Sequence, residues 1–284
     1  MKTVDKNDGP DTSRGSQVIS IAELEDEARA LAEGELWSQA ARHLTRAARR
    51  DPADTARWLQ IVNWQREARE PLEAAQTLEL ALKMTRALKT PRANAKDAAS
   101  EKASSLAALL FALAEVQLEA QRWDECADTC RSLLEISPRH HAGLEILATA
   151  FLHGGRVDDA VEAMQALLRV SPRDPLHRLK YATLLQLQGE SGASLNEFER
   201  VVTWYPESPF SDEAREAIEL LDHMQTQQIL LRASEESDFR LQLHHSLDDT
   251  LQNHGFYLSD NGRENLRSMI GDGRPDREIP MRIH

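Results

Sequence analysis

Leu106–Pro138 reads LAALLFALAEVQLEAQRWDECADTCRSLLEISP, Arg139–Pro172 reads RHHAGLEILATAFLHGGRVDDAVEAMQALLRVSP, and Arg173–Pro206 reads RDPLHRLKYATLLQLQGESGASLNEFERVVTWYP. Pro138, Pro172 and Pro206 therefore fall 34 residues apart, twice in succession. Each proline closes the same design: an apolar stretch of helical period, a short break and a second apolar stretch. A fixed period of this length marks a repeat array, in which each unit is a helix pair that buries its apolar face only against its neighbours. The expected fold is all-α, an α-α superhelical solenoid.

Working outward, each closing proline can be set as position 32, which starts repeats at Ile21, Thr55, Ala107, His141 and Pro175. The fourth repeat then places Leu144, Leu147, Ala148, Phe151, Gly155, Ala160, Met164 and Leu167 before Pro172. The first carries Leu24, Ala28, Leu31, Ala40, Leu44, Ala47 and Pro52, and the third Leu110, Leu113, Ala114, Cys126, Cys130, Leu133 and Pro138. The second carries Trp58, Ile61, Ala74, Leu78 and Ala81, with Val62 at the small position 8 and Arg86 in place of proline. The fifth carries Ala182, Leu185, Ser194, Phe198, Val201 and Pro206, with Arg178 where a large apolar residue is usual. Small residues at positions 8 and 20 let two antiparallel helices approach closely, and larger ones fill the space between repeats. Gly155 and Gly189 fall where a first helix ends and a left-handed residue is needed.

On these residues the chain resembles the tetratricopeptide repeat (TPR) family over about residues 21–206. The family pattern asks for a large residue at position 4, small ones at 8 and 20, a large apolar one at 24 and proline at 32. The repeats then lie near 21–54, 55–88, 107–140, 141–174 and 175–208, interrupted by an insertion at 87–105 that either loops out or lengthens a neighbouring helix.

Residues 1–18 are polar, with no apolar run of a secretory signal, and are expected to be a disordered tail. Ser20 and Glu23 form a capping-box pattern for the first helix. Ser208 and Pro209 open a capping helix expected over 209–224, with Ala214, Ala217, Ile218 and Leu221 on one stripe. Residues 225–270 form a C-terminal helical module, with short helices at Gln225–Ala233, Asp238–His245, Leu247–His254 and Ser259–Ile270, and 271–284 a second disordered tail. Phe239, Leu243, Leu247, Leu251, Gly255, Phe256 and Leu258 weakly resemble leader regions of bacterial modified-peptide precursors of the Nif11-like and nitrile-hydratase-like type. That likeness implies an alternative role as a carrier or substrate in peptide maturation, with the C-terminal module recognised by an enzyme.

Composition narrows the function. A hydrophobic fraction of 41% suits a solenoid with much surface, and a net charge of −13 argues against nucleic acid or an anionic membrane as partner. Only Cys126 and Cys130 are present, so no disulfide framework is expected, and a cytoplasmic protein is the plain reading. The two thiols, with His140 and His141, have the residue types of a zinc site, but positions 20 and 24 face the helix–helix core. No phosphate-cradling loop, metalloprotease motif or nucleophile elbow occurs, so neither enzyme nor cofactor is expected.

The resemblance implies a protein or peptide partner held on the concave face, which first helices line at positions 2, 5, 9, 12 and 13. Here these are Asn63 and Arg66, then Phe111, Glu115 and Glu119, then Glu145, Thr149, Leu152 and His153, and finally Leu176, Leu179, Thr183 and Gln186. The Lys, Asn and Arg clamp by which chaperone-binding TPR proteins hold a C-terminal carboxylate is missing: Glu25, Arg29, Phe111, Glu115, Glu145 and Thr149 occupy those positions. Self-association into a homo-oligomer is the remaining alternative. If the frame is correct, Ala160→Leu overpacks the helix contact and lowers stability by about 1–3 kcal/mol. A thermal melt identical to that of the parent chain would count against it.

Overall fold

The computed structural model describes residues 19–88 and 95–271, and within them 14 helices and no strand. They are α1 (Ile21–Glu33), α2 (Trp37–Arg50), α3 (Thr55–Glu67), α4 (Pro71–Ala87) and α5 (Ala95–Glu119). Next come α6 (Trp123–Ile136), α7 (His141–His153), α8 (Val157–Val170), α9 (Pro175–Gln188) and α10 (Ser191–Trp204). The last four are α11 (Pro209–Glu235), α12 (Ser237–His245), α13 (Leu247–Asn253) and α14 (Asp260–Ile270). The chain divides between Ala120 and Gln121 into two compact units, α1–α5 and α6–α14, so the break falls inside the third repeat. The expected tails, save Gly271, and Pro91 of the insertion lie outside the described residues.

Helix starts follow local chemistry at the repeat period. Ser20, Asp54, His140, Asp174 and Ser208 each precede a first helix, and each side chain accepts a hydrogen bond from a backbone N–H of the first turn. Ser20 and Glu23 complete the capping box. His140 is thus an N-cap, its Nδ1 accepting from the Gly143 N–H at 3.0 Å.

Helix ends repeat as strictly. The second helices α2, α6, α8 and α10 all run 14 residues and stop two residues before the proline. The residue before each proline leaves the helical region, with φ near −130° and ψ between 52° and 83° at Asp51, Ser137, Ser171 and Tyr205. The proline ring disfavours the helical conformation for its predecessor, which ends the helix there. Arg86 imposes nothing, and α4 accordingly runs to 17 residues. The insertion lengthens the first helix of repeat three: α5 has 25 residues, and Lys102 Nζ donates to the free carbonyls of Arg86 (2.9 Å) and Leu88 (2.7 Å) at the end of α4.

Position 15 is left-handed in all five repeats. Glycine stands there only at Gly155 and Gly189, and Glu35, Arg69 and Gln121 adopt φ of 57–59° without it.

Within each unit, consecutive helices pack on small residues. Ala28 with Ala40, Val62 with Ala74, and Ala114 are buried in the first unit; Cys126, Ala148 with Ala160, and Ala182 with Ser194 are buried in the second. Position 20 touches position 8 in repeat five, where Ser194 Oγ donates to the Ala182 carbonyl at 2.8 Å. Arg178 is accommodated at a core position because its guanidinium pairs with buried Glu197, donates to the Pro172 carbonyl at 3.2 Å and lies 4.7 Å over the Trp204 ring.

The C-terminal region differs from expectation in one respect. A single helix, α11, spans 27 residues where a capping helix ending near Met224 and a separate helix at Gln225–Ala233 were expected. Nothing breaks it: no Gly or Pro follows Pro209 before Glu236, and Leu221, Gln225, Ile229 and Ala233 carry one buried face across the expected boundary. Ile229 and Ala233 share a core with Phe239, Leu243, Leu251, Leu258 and Leu266 of the helices that follow. Asp222 and Gln225 fasten these to α11, accepting from the N–H groups of Ser259 (2.8 Å) and Tyr257 (2.6 Å). The fit depends on Gly262 and Gly192. A Cβ on Gly262 would stand 2.4 Å from the Asp222 carboxylate, and one on Gly192 2.8 Å from the Tyr257 ring.

The turn geometry yields opposite expectations at one repeat position. Gly155→Ala should lower stability by about 1 kcal/mol, and Arg69→Gly should raise it by up to about 1 kcal/mol. Chemical denaturation midpoints of the two variants, moving in opposite directions, check this.

Candidate functional site

In the first unit, α3 and α5 present the expected residues together. Asn63 and Arg66 are exposed on α3, and Phe111, Glu115 and Glu119 lie along α5. Arg66 forms an ion pair with Glu119, bridging the first helices of successive repeats. Burial holds the half-buried Glu115 carboxyl above the usual range against the pull of Arg66, and Glu119 adds to the rise. On α3, Arg57 meets Glu25 of α1 (2.8 Å), Asp54 (3.0 Å) and Asp51 (3.3 Å).

In the second unit the surface is built by α7 and α9. Lys180 Nζ meets Glu145 at 2.7 Å, again bridging first helices, and its hydrogen bond holds the Glu145 carboxyl below the usual range. Thr149 Oγ donates to the Glu145 carbonyl (2.9 Å) and Thr183 Oγ to the Leu179 carbonyl (3.1 Å). Each hydroxyl thereby gives its proton to its own helix and keeps lone pairs free to accept. Leu152, Leu176 and Gln186 are half-buried beside them. His153 is exposed, with its ring stacked on Trp123 at 4.9 Å. Trp123, Asp124, His153 and Gly154 edge an open cavity of about 440 Å³.

Leu179 is not a surface anchor. It is 8% exposed and packs with Ala182, Phe198, Val201, Ala214 and Leu221. The last two belong to α11, so the helix that closes the repeats supplies part of the cover over this position. Leu187, one residue beyond Gln186, is instead 59% exposed. Position 13 of the repeat frame, which selected His153 in repeat four, would have found it in repeat five.

Other candidates resolve as structure. Cys126 and Cys130 are both fully buried; the hydrogen bond from Cys126, with burial, pushes the Cys130 thiol up, which suits packing rather than nucleophilic chemistry. Among the described residues no group of three His, Cys, Asp or Glu side chains is placed to hold a metal ion. Nor is any described helix long and apolar enough to cross a membrane. A residue the sequence did not single out is His177 on α9, buried beside Asp174 and 4.8 Å from the His141 ring.

No protein-family model matches the chain, and no curated protein matches it in sequence. Solved structures do match in fold. The crystal structure of YrrB, described as a TPR protein with an unusual peptide-binding site, aligns with a TM-score of 0.50 at 12% identity, over 70% of this chain and 94% of YrrB. MamA (residues 41 to its end) from Desulfovibrio magneticus RS-1 aligns with a TM-score of 0.48 at 13% identity, over 66% of this chain and 97% of that one. The fold is of the TPR type.

The environment of His177 predicts that the second unit loses stability in acid. Burial depresses its imidazole below the usual histidine range; Asp174 and Glu145 oppose this, and His141 and Lys180 add to it. The unfolded chain therefore takes up this proton first, and stability falls as pH drops below about 6.5. His177→Phe keeps a ring in the packing and should flatten the decline of melting temperature between about pH 7 and pH 5. An unchanged slope would assign the acid sensitivity elsewhere.

Proposed function

We propose that this protein is a non-enzymatic interaction scaffold that binds an extended or helical peptide of a partner protein on the first-helix face of its second unit. One observation carries the reading: α7 and α9, joined by the Lys180–Glu145 ion pair, offer accessible or half-buried apolar groups (Leu152, Leu176, Leu187) among hydrogen-bonding ones (Thr149, Thr183, Gln186). A few apolar anchors ringed by polar groups is the composition that holds a peptide and fixes its register. The ion pair of Glu145 with Lys180 and the ring stack of His153 on Trp123 hold side chains of this face in place before a ligand arrives. The peptide-binding site of YrrB, on the same type of fold, supports the reading. The face of the first unit, with Arg66, Glu115 and Glu119, provides a second, more strongly charged surface. Two buried cysteines that form no disulfide accord with a reducing compartment such as the cytoplasm.

The test is an affinity capture from lysate of the source cells with parent chain and a Thr149→Arg, Thr183→Arg, Leu187→Glu triple variant as baits. All three positions are accessible, so circular dichroism should report an unchanged fold. A partner held by the parent should be lost, with affinity down by at least about tenfold. An identical set of captured proteins from the two baits would refute the surface.

A further inference from the structure

Helix α11 has two working faces. One is buried: Ala214, Leu221, Gln225, Ile229 and Ala233 pack on repeat five and on the C-terminal helices. On the other, Leu220 (55%), Met224 (38%) and Leu231 (60%) stand exposed. At 3.6 residues per turn these three fall within about 40° of one another. With Gln227 they form a row spaced four, three and four, which is the spacing of a helix–helix seam.

The flanks of this row are acidic. Glu213, Glu216 and Glu219 lie toward its N-terminal end and Glu235 toward its C-terminal end. The basic groups are already engaged: Arg215 pairs with Asp212, and Arg232 pairs with Glu236 at 3.1 Å and lies over the Phe239 ring. Charge selects the occupant. A second copy of α11 would set acid against acid, because both ends of the row carry carboxylates, whichever way the helices run. An anionic membrane would be repelled for the same reason.

We propose that the outer face of α11 is a docking surface for a basic amphipathic helix of a partner protein, its apolar seam seated on Leu220, Met224 and Leu231 and its Lys or Arg flanks facing the glutamates. This surface is separate from the face of α7 and α9, so one chain can hold two segments at once.

The probe is a fluorescein-labelled helical peptide of three heptads, with leucine along the seam and lysine on both flanks. It is titrated into the full chain by fluorescence anisotropy, beside a peptide with glutamate flanks. The lysine peptide should bind saturably and the glutamate peptide should not. Leu220→Ser with Leu231→Ser should weaken binding by at least about tenfold, and so should Glu216→Lys with Glu219→Lys, whose positions bear on no core. Thr149→Arg with Thr183→Arg should leave it unchanged, which separates this surface from the one proposed above. Three outcomes overturn the proposal: no binding of the lysine peptide, equal binding by the serine variant, or a sedimenting dimer that those serine substitutions dissociate.

Discussion

Everything in this structure depends on how closely the two helices of a repeat can approach. In repeat five position 20 touches position 8, where the Ser194 hydroxyl reaches the Ala182 carbonyl, and the corresponding Ala148 and Ala160 of repeat four are both buried. A side chain larger than cysteine at position 20 would force the axes apart, and the apolar residues of neighbouring repeats would no longer interdigitate. Val62 shows the tolerance on the other side, because Ala74 opposite it stays small.

Where the helices begin, turn and end is a local matter layered on that contact. A side-chain cap opens α1, α3, α7 and α9 just before the expected first residue, a left-handed residue turns the chain at position 15, and a proline stops the second helix. Repeat two and the start of repeat three show what happens when one device is missing. Without a proline at position 32, α4 overruns, and α5 begins early and is tied back by Lys102. The irregularity lies in the first unit, whose boundary then falls within repeat three.

The candidate surfaces follow from what the core does not use. Core positions of a first helix face the second helix, which leaves most of positions 2, 5, 9, 12 and 13, and Lys180 at position 6, to make contacts between neighbouring first helices or with solvent; Leu179 at position 5 is the exception. Arg66 with Glu119 and Lys180 with Glu145 are such contacts, and each contributes little stability because it is exposed. Their effect is on geometry, since a paired side chain presents one arrangement to a ligand rather than many. At the C-terminal end the array is closed by α11, whose inner face packs in the core and whose outer face leaves Leu220 and Leu231 exposed among the described residues.

The sequence by itself determined the period, the class of fold, the first residue of four of the five first helices, the caps at Ser20 and Ser208 and the buried small residues, because each of these is decided within a few residues of the chain. Most of the candidate face was legible for the same reason: Asn63, Arg66, Thr149, Leu152, His153, Thr183 and Gln186 are accessible or half-accessible at the positions the repeat frame assigns. Only the tertiary structure decided the rest. Leu179 is buried because residues of α11, more than 30 positions away, cover it; Arg178 sits in the core because Glu197 on the next helix neutralises it. The absence of Gly and Pro between Pro209 and Glu236 lets α11 run on past residue 224, but that its second half shares a core with Phe239, Leu243 and Leu251 is a contact that no local pattern announces. Each of these was settled by which distant side chain arrived opposite, and a period read along one dimension carries no record of that.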